Sequence, residues 1–195
     1  MEDDSAALVD TKGRILAVCS REHEQIVPRF GWSEQRPEDW WSGVVAAIRQ
    51  VFAEVPAAQS RVAAVAACGQ MHGTVLVGSG GELVRETAPL WNDKRTVDYV
   101  TAFEATHAPA DYLADSANPP TPAWPGFKLQ WLRDNDPAAY RRTAAVLMPK
   151  DYVNLRLTGE IAMDRNDGGA SFLMDPRTGD WSPKMVGLLG LDGGK

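Results

Sequence analysis

The side chains best suited to chemistry lie in two short stretches, Cys68-Gly69-Gln70-Met71-His72-Gly73 and Trp91-Asn92-Asp93-Lys94-Arg95. An imidazole can donate to or accept from a hydroxyl, a thioether offers an apolar edge, and an amide beside an acid and two bases can orient a polar guest. Gly69 and Gly73 bracket three longer side chains, so the backbone there can bend sharply and let something approach. The same residues also fit plain structure. His72 could make local hydrogen bonds in a simple turn, and residues 92–95 could be a solvated helix start. Residue types alone leave both readings open.

The elements around these stretches decide what they can reach. Residues 62–67, Val-Ala-Ala-Val-Ala-Ala, form a short apolar run with small and β-branched side chains, which predicts a central strand buried on both faces and delivers His72 to a cleft at its end. Before it, residues 6–9 and 15–19 flank the turn Asp10-Thr11-Lys12-Gly13, a hairpin pattern, with a frayed start over residues 1–4. Val27-Pro28-Arg29-Phe30-Gly31-Trp32 reads as a loop carrying two aromatics. Pro37 at a first helical position, Glu38 and Asp39 in the first turn, and Trp41, Val45, Ile48, Phe52 and Val55 at helical steps predict an amphipathic helix closed by Pro56. That spacing favours core packing for the Trp40-Trp41 pair over a stacking platform.

Further on, the Gly78-Ser79-Gly80-Gly81 run between apolar segments predicts a hairpin; a phosphate cradle would need a helix to follow at once, and none does. Residues 96–109 read as a helix and Asp111-Tyr112-Leu113 as a short turn. Four prolines among residues 118–126 enforce an extended loop that holds Trp124 on a stiff backbone. Helices are expected from Phe127 and after Asp136-Pro137, a buried strand at Val146-Leu147-Met148, and a helix from Asp151 to the stop at Gly159. The polar tail 162–171 precedes a strand at Phe172-Leu173-Met174 and a last helix from Ser182-Pro183 to Gly190.

The 195 residues are 44% hydrophobic, enough for one core, and show no internal repeat. A net charge of −6 without a basic stripe excludes a phosphate-backbone binder, so no nucleic-acid partner is expected. The two cysteines, Cys19 and Cys68, are expected as buried free thiols of a reducing compartment. The longest uncharged run, residues 62–81, is too broken by glycine and polar residues to span a bilayer, and no charged-then-apolar leader is visible, so a cytoplasmic location without membrane contact is expected.

Several collinear motifs then carry a resemblance: Gly31-Trp32-Ser33-Glu34-Gln35, Pro37-Glu38-Asp39-Trp40-Trp41, Gly69-Gln70-Met71-His72-Gly73, Pro89-Leu90-Trp91-Asn92-Asp93-Lys94-Arg95-Thr96, Lys128-Leu129-Gln130-Trp131-Leu132, Leu147-Met148-Pro149-Lys150-Asp151-Tyr152, Leu157-Thr158-Gly159-Glu160 and Asp180-Trp181-Ser182. Over residues 5–195 the chain resembles the N-terminal domain of the FGGY-type carbohydrate kinases, most closely their xylulokinase branch. The resemblance implies an α/β, ribonuclease H-like domain of the sugar kinase, hexokinase and actin type, with a mixed sheet and flanking helices, incomplete at both ends. It implies ATP-dependent phosphorylation of a pentulose sugar such as D-xylulose, with Met71 and His72 touching the ketose, Asn92 and Asp93 at a neighbouring part of the pocket, and Trp124 in the loop that closes over it.

Set against the family pattern, the opening Asp-Leu-Gly-Thr type motif, the later catalytic aspartate and the ATP-binding second domain fall outside residues 1–195, and Asn166-Asp167-Gly168-Gly169-Ala170-Ser171 departs from the usual Ser-Asp-Ala-Ser-Gly-Thr. The expectation is therefore a sugar-binding half, inactive alone, whose main elements for ATP and Mg2+ lie elsewhere, with self-association through exposed edges. The rival expectation is a non-catalytic sugar-binding or interaction module. A ribonuclease H-like nuclease is disfavoured by the charge balance.

Overall fold

A computed structural model describes residues 2–194. The N-terminal hairpin forms as its turn predicts: β1 (Glu2–Val9) pairs antiparallel with β2 (Ile15–His23), Ala6 opposite Cys19, and Asp10 caps the turn by accepting from the Lys12 and Arg14 amides. The strand starts at Glu2, so residues 2–4 are paired rather than frayed, while Met1 and Lys195 lie outside the described residues. Burial along β2 alternates, and Ala17 and Cys19 turn inward onto Ala47 and Val51 of α1 (Pro37–Glu54).

That helix has the predicted span and Pro37 at its start, but a different buried face. Its fully buried residues are Pro37, Trp40, Ala47 and Val51, whereas the expected Trp41, Val45, Ile48, Phe52 and Val55 are half-exposed. The periodicity is right and the phase is set by the small Ala47, which lets β2 approach closely.

The largest departure is at residues 62–67. They take part in no strand pairing among the described residues and are almost entirely exposed, with Val62 at 39% and Val65 at 66%. An apolar run becomes a strand only where a neighbouring edge offers backbone hydrogen bonds. Here a cleft of roughly 1120 Å³ separates the run from β1, floored by α1 side chains including Val44 and Val51. Cys68 is exposed for the same reason, against the expectation of burial, while Cys19 is buried.

Beyond the cleft, β4 (Val75–Val77) pairs with β6 (Ala145–Leu147), and a Val77–Leu83 bridge closes the glycine hairpin. The short β3 (Glu34–Gln35) pairs with β5 (Ala88–Pro89). A fourth pair, β7 (Met174–Asp175) with β8 (Asp180–Trp181), lies near the C-terminal end. Pairing among the described residues is thus in four separate antiparallel sheets rather than one mixed sheet.

Helices supply the rest: α2 (Val97–Thr106), α3 (Pro109–Ser116), α4 (Pro125–Asn135), α5 (Pro137–Arg142), α6 (Pro149–Thr158), α7 (Arg165–Gly169) and α8 (Pro183–Leu188). Proline at the first helical positions and Gly159 at φ 80° punctuate them as the sequence indicates. The turn expected at Tyr112 is a full helix, and the polar tail contains α7, capped by Asp164, which accepts from the Asn166 and Asp167 amides. The main core joins Phe103, Phe127 and Phe172, whose ring centroids lie 5.3–5.7 Å apart. No helix among the described residues is long and apolar enough to cross a membrane.

Candidate functional site

The loop that ends in β4 is held from three directions. Thr74 donates its amide to the Pro89 carbonyl at 3.0 Å, and the Gln70 side-chain amide donates to Gln35 Oε1 at 2.8 Å. A Cβ at Gly73 would lie 2.5 Å from Pro149 Cγ, so glycine is what allows the first turn of α6 to press on the loop. Substituting Gly73 with alanine is therefore expected to cost about 1–3 kcal/mol of stability through overpacking, read as a lowered urea midpoint with an unchanged slope. An unaltered midpoint would show that the loop and α6 are not in contact.

His72 stands at φ 63°, in the left-handed region that few non-glycine residues adopt. Its amide donates to Met148 Sδ at 3.2 Å, and its carbonyl accepts from Lys128 Nζ at 2.5 Å. The ring Nδ1 lies 3.1 Å from the Ala170 carbonyl oxygen. A carbonyl only accepts, so Nδ1 carries the hydrogen and, in the neutral ring, Nε2 keeps a lone pair for a donor. Burial holds the His72 pKa below 6.5; the Lys128 charge lowers it further, and the Ala170 carbonyl and Asp167 work against that. At neutral pH His72 is an acceptor at Nε2.

Trp124 meets the imidazole edge-on, with centroids 4.7 Å apart, and is fixed by its indole N–H donating to the Pro119 carbonyl at 2.8 Å. The proline-rich loop is joined to the second motif where Thr96 Oγ1 donates to the Pro122 carbonyl at 2.9 Å. Met71 is 48% exposed beside His72, an accessible thioether. Asn92 is half-buried with its Oδ1 buried and unbonded, an acceptor ready for a hydroxyl.

Asp93 has a different place. It is fully buried, and its carboxylate accepts from the Ser33 amide at 2.7 Å, the Arg95 amide at 2.9 Å and the Arg95 guanidinium at 2.8–2.9 Å. Arg95 also pairs with Glu34 at 2.5 Å and lies over the rings of Trp32 and Trp131 at 3.9 and 4.8 Å. Asp93 shapes the wall of the site and leaves the exposed contacts to Met71, His72 and Trp124.

The model of the FGGY family of carbohydrate kinases, N-terminal domain, matches residues 4–193. This chain belongs to the FGGY family of carbohydrate kinases. Among relatives, it is 30% identical over 187 residues to a protein named xylulose kinase from Bacillus subtilis (strain 168) and 32% identical over 179 residues to one from Escherichia coli (strain K12). These alignments cover 94% and 92% of this chain but 36% of each relative, so the chain spans about a third of their length. A crystal structure described as a xyloylose kinase from Brucella ovis superposes with a TM-score of 0.90 at 31% identity, covering 97% of this chain and 38% of that one. The fold is accordingly the ribonuclease H-like α/β fold of the sugar kinases.

As an FGGY domain, the chain's own residues do not fit the phosphates of ATP or their Mg2+. The Gly78 amide is bonded to the Glu82 carbonyl and the Gly80 amide to the Glu82 carboxylate, so the glycine turn presents an acid where a phosphate cradle would present free amides. Asp151, Asp164 and Asp167 lie close enough together to hold a cation, but Lys150 Nζ already sits 2.6 Å from each. Its ammonium neutralises the cluster.

Several supporting residues escaped the sequence reading, above all Lys128, Met148 and Ala170. Lys128 had a signal, a lone cation between Phe127 and Leu129 on an otherwise apolar helix face. Ala170 had none, because its contribution is a backbone carbonyl.

Proposed function

We propose that this FGGY domain is the ketose-recognising part of an ATP-dependent kinase that converts D-xylulose, or a related pentulose, to its 5-phosphate. The observation that carries the reading is His72, neutral and fixed by Ala170 and Trp124 with Nε2 as an acceptor, beside the thioether of Met71. A ketose presents hydroxyl donors alternating with a carbon skeleton, and this pair answers both. Asn92 Oδ1 supplies a further acceptor. The relatives named xylulose kinase support the pentulose over other sugars.

One observation favours a second reading, a sugar-binding module without catalysis. The acids around the site are engaged by cations, Asp93 by Arg95 and Asp151, Asp164 and Asp167 by Lys150, which leaves none of them free to take a hydroxyl proton. On either reading the 195-residue chain alone is expected to bind D-xylulose saturably by calorimetry and to release no ADP from Mg-ATP above a blank. ADP release by this chain would overturn the division of labour, and absence of any sugar heat would overturn the site. In the whole protein that contains the domain, pentulose 5-phosphate formation supports the kinase, and binding without turnover supports the module.

A further inference from the structure

We propose that Lys128 is a positioning residue for this site: its amine, bonded to the His72 carbonyl, holds residue 72 in the left-handed conformation that seats the imidazole on Ala170. The proposal rests on the functional reading above only for its consequence in sugar binding. The conformational part stands on its own contacts.

A left-handed histidine costs on the order of 1–2 kcal/mol and persists only where its surroundings over-determine it. Here the amide bond to Met148 Sδ is soft and long at 3.2 Å, and Thr74 Oγ1 reaches the His72 carbonyl at only 3.3 Å. Lys128 Nζ reaches the same oxygen at 2.5 Å, from a residue 56 positions away on another element. The strongest hold on the strained backbone is therefore a tertiary one.

Lys128 is an unusual residue to bury. Its exposure is 0%, and it forms no salt bridge among the described residues. A lysine is almost never fully buried without an ionic partner. If its task were to fill space between Phe127 and Leu129, leucine or methionine would do so without desolvating an amine. What the amine adds is one donor aimed at one carbonyl. Burial pushes its pKa down to about 7, with Asp93 opposing and Arg95 assisting. Both the charged and the neutral amine carry N–H groups, so the bond to His72 survives in either state.

The chain follows from that one bond. With the carbonyl released, residue 72 can relax toward ordinary φ, the ring leaves Ala170, and the imidazole reverts toward the Nε2–H form that free histidine prefers. Nε2 then donates where the ketose needs an acceptor.

The test uses Lys128→Met in the 195-residue chain labelled with 15N at histidine. Wild type should show His72 as the Nδ1–H tautomer at pH 7.5. The variant should lose that signature while keeping its far-UV circular dichroism, and its D-xylulose dissociation constant should rise about tenfold. An unchanged tautomer in the folded variant overturns the proposal. A changed tautomer in a protein whose wild type binds no D-xylulose upholds the positioning role and instead removes the ketose reading. Should Lys128→Met fail to fold, the wild type decides. A through-hydrogen-bond coupling between Lys128 Nζ and the His72 carbonyl carbon supports the proposal, and its absence defeats it.

Discussion

Replacing Arg95 with methionine is expected to remove about 3–5 kcal/mol of folding stability, because it takes one partner from a buried ion pair and leaves the other uncompensated. The Arg95 side chain is 1% exposed, and that of Asp93 is 0% exposed. Without the guanidinium, the Asp93 carboxylate keeps only the Ser33 and Arg95 backbone amides, and Glu34 loses its 2.5 Å partner. The rings of Trp32 and Trp131, edge to face at 5.2 Å, also lose the planar cation against them.

A domain of this size commonly has about 5–15 kcal/mol in total, so the loss is a large share of it. Arg95→Lys is expected to recover little, since an ammonium cannot span Asp93 and Glu34 while stacking on two indoles. Urea unfolding followed by tryptophan fluorescence measures both variants. The double variant Asp93→Asn with Arg95→Met should be less destabilised than the sum of the singles, because the stranded charge has gone. Strict additivity, or a loss below about 1 kcal/mol for Arg95→Met, would refute the buried-pair account.

Substituting His72 with asparagine should weaken D-xylulose binding by about 1–3 kcal/mol, roughly ten- to hundredfold, with little change in stability. Asparagine tolerates the left-handed backbone better than most residues, so the fold is spared, but its side chain is too short to place an acceptor where Nε2 lies. The pH dependence sharpens the test. The His72 pKa is held below 6.5 by burial, so wild-type affinity should be level above that pH. Below it, Nε2 takes a proton, loses its lone pair, and affinity falls. The asparagine variant should show no such fall. Calorimetric titrations from pH 5 to pH 8 read both effects; a wild-type break well above pH 6.5 would mean that another group titrates the site.

The two largest effects thus fall on residues of very different visibility. His72 stood out in the sequence as a single imidazole between two glycines, and the Met-His pair carried the family resemblance. Arg95 lay in a mixed-charge run that a solvated helix start explains equally well. Nothing local to it revealed the two indoles, because Trp32 and Trp131 come from a loop and a helix far apart in the chain. Asp93 was placed beside the ketose by resemblance, yet its oxygens are used inside the wall. A carboxylate in a motif says that the position matters and does not say to what it is bonded.

Residues 62–67 teach the same lesson from the fold. Their composition is that of a buried strand, but composition describes a segment's side chains and not its neighbours. With no backbone edge alongside, the run lies exposed on a cleft. In α1 the helical period was legible while its phase was not, since the buried stripe depends on where the hairpin β1–β2 lands.

What the amino-acid sequence determined by itself is the set of features whose energies are local. These are helix starts at Pro37, Pro137 and Pro183, the stop at Gly159, the hairpin turn at Asp10 and Gly13, the stiff loop around Trp124, and a motif order that identifies the family. Only the tertiary structure decided the exposure of Val65, the tautomer of His72, the burial of Lys128 and the partners of Asp93. Each of these depends on groups 56 to 98 residues away or on an edge from another element, and desolvation and ion pairing take their sign from such neighbours rather than from adjacent residues.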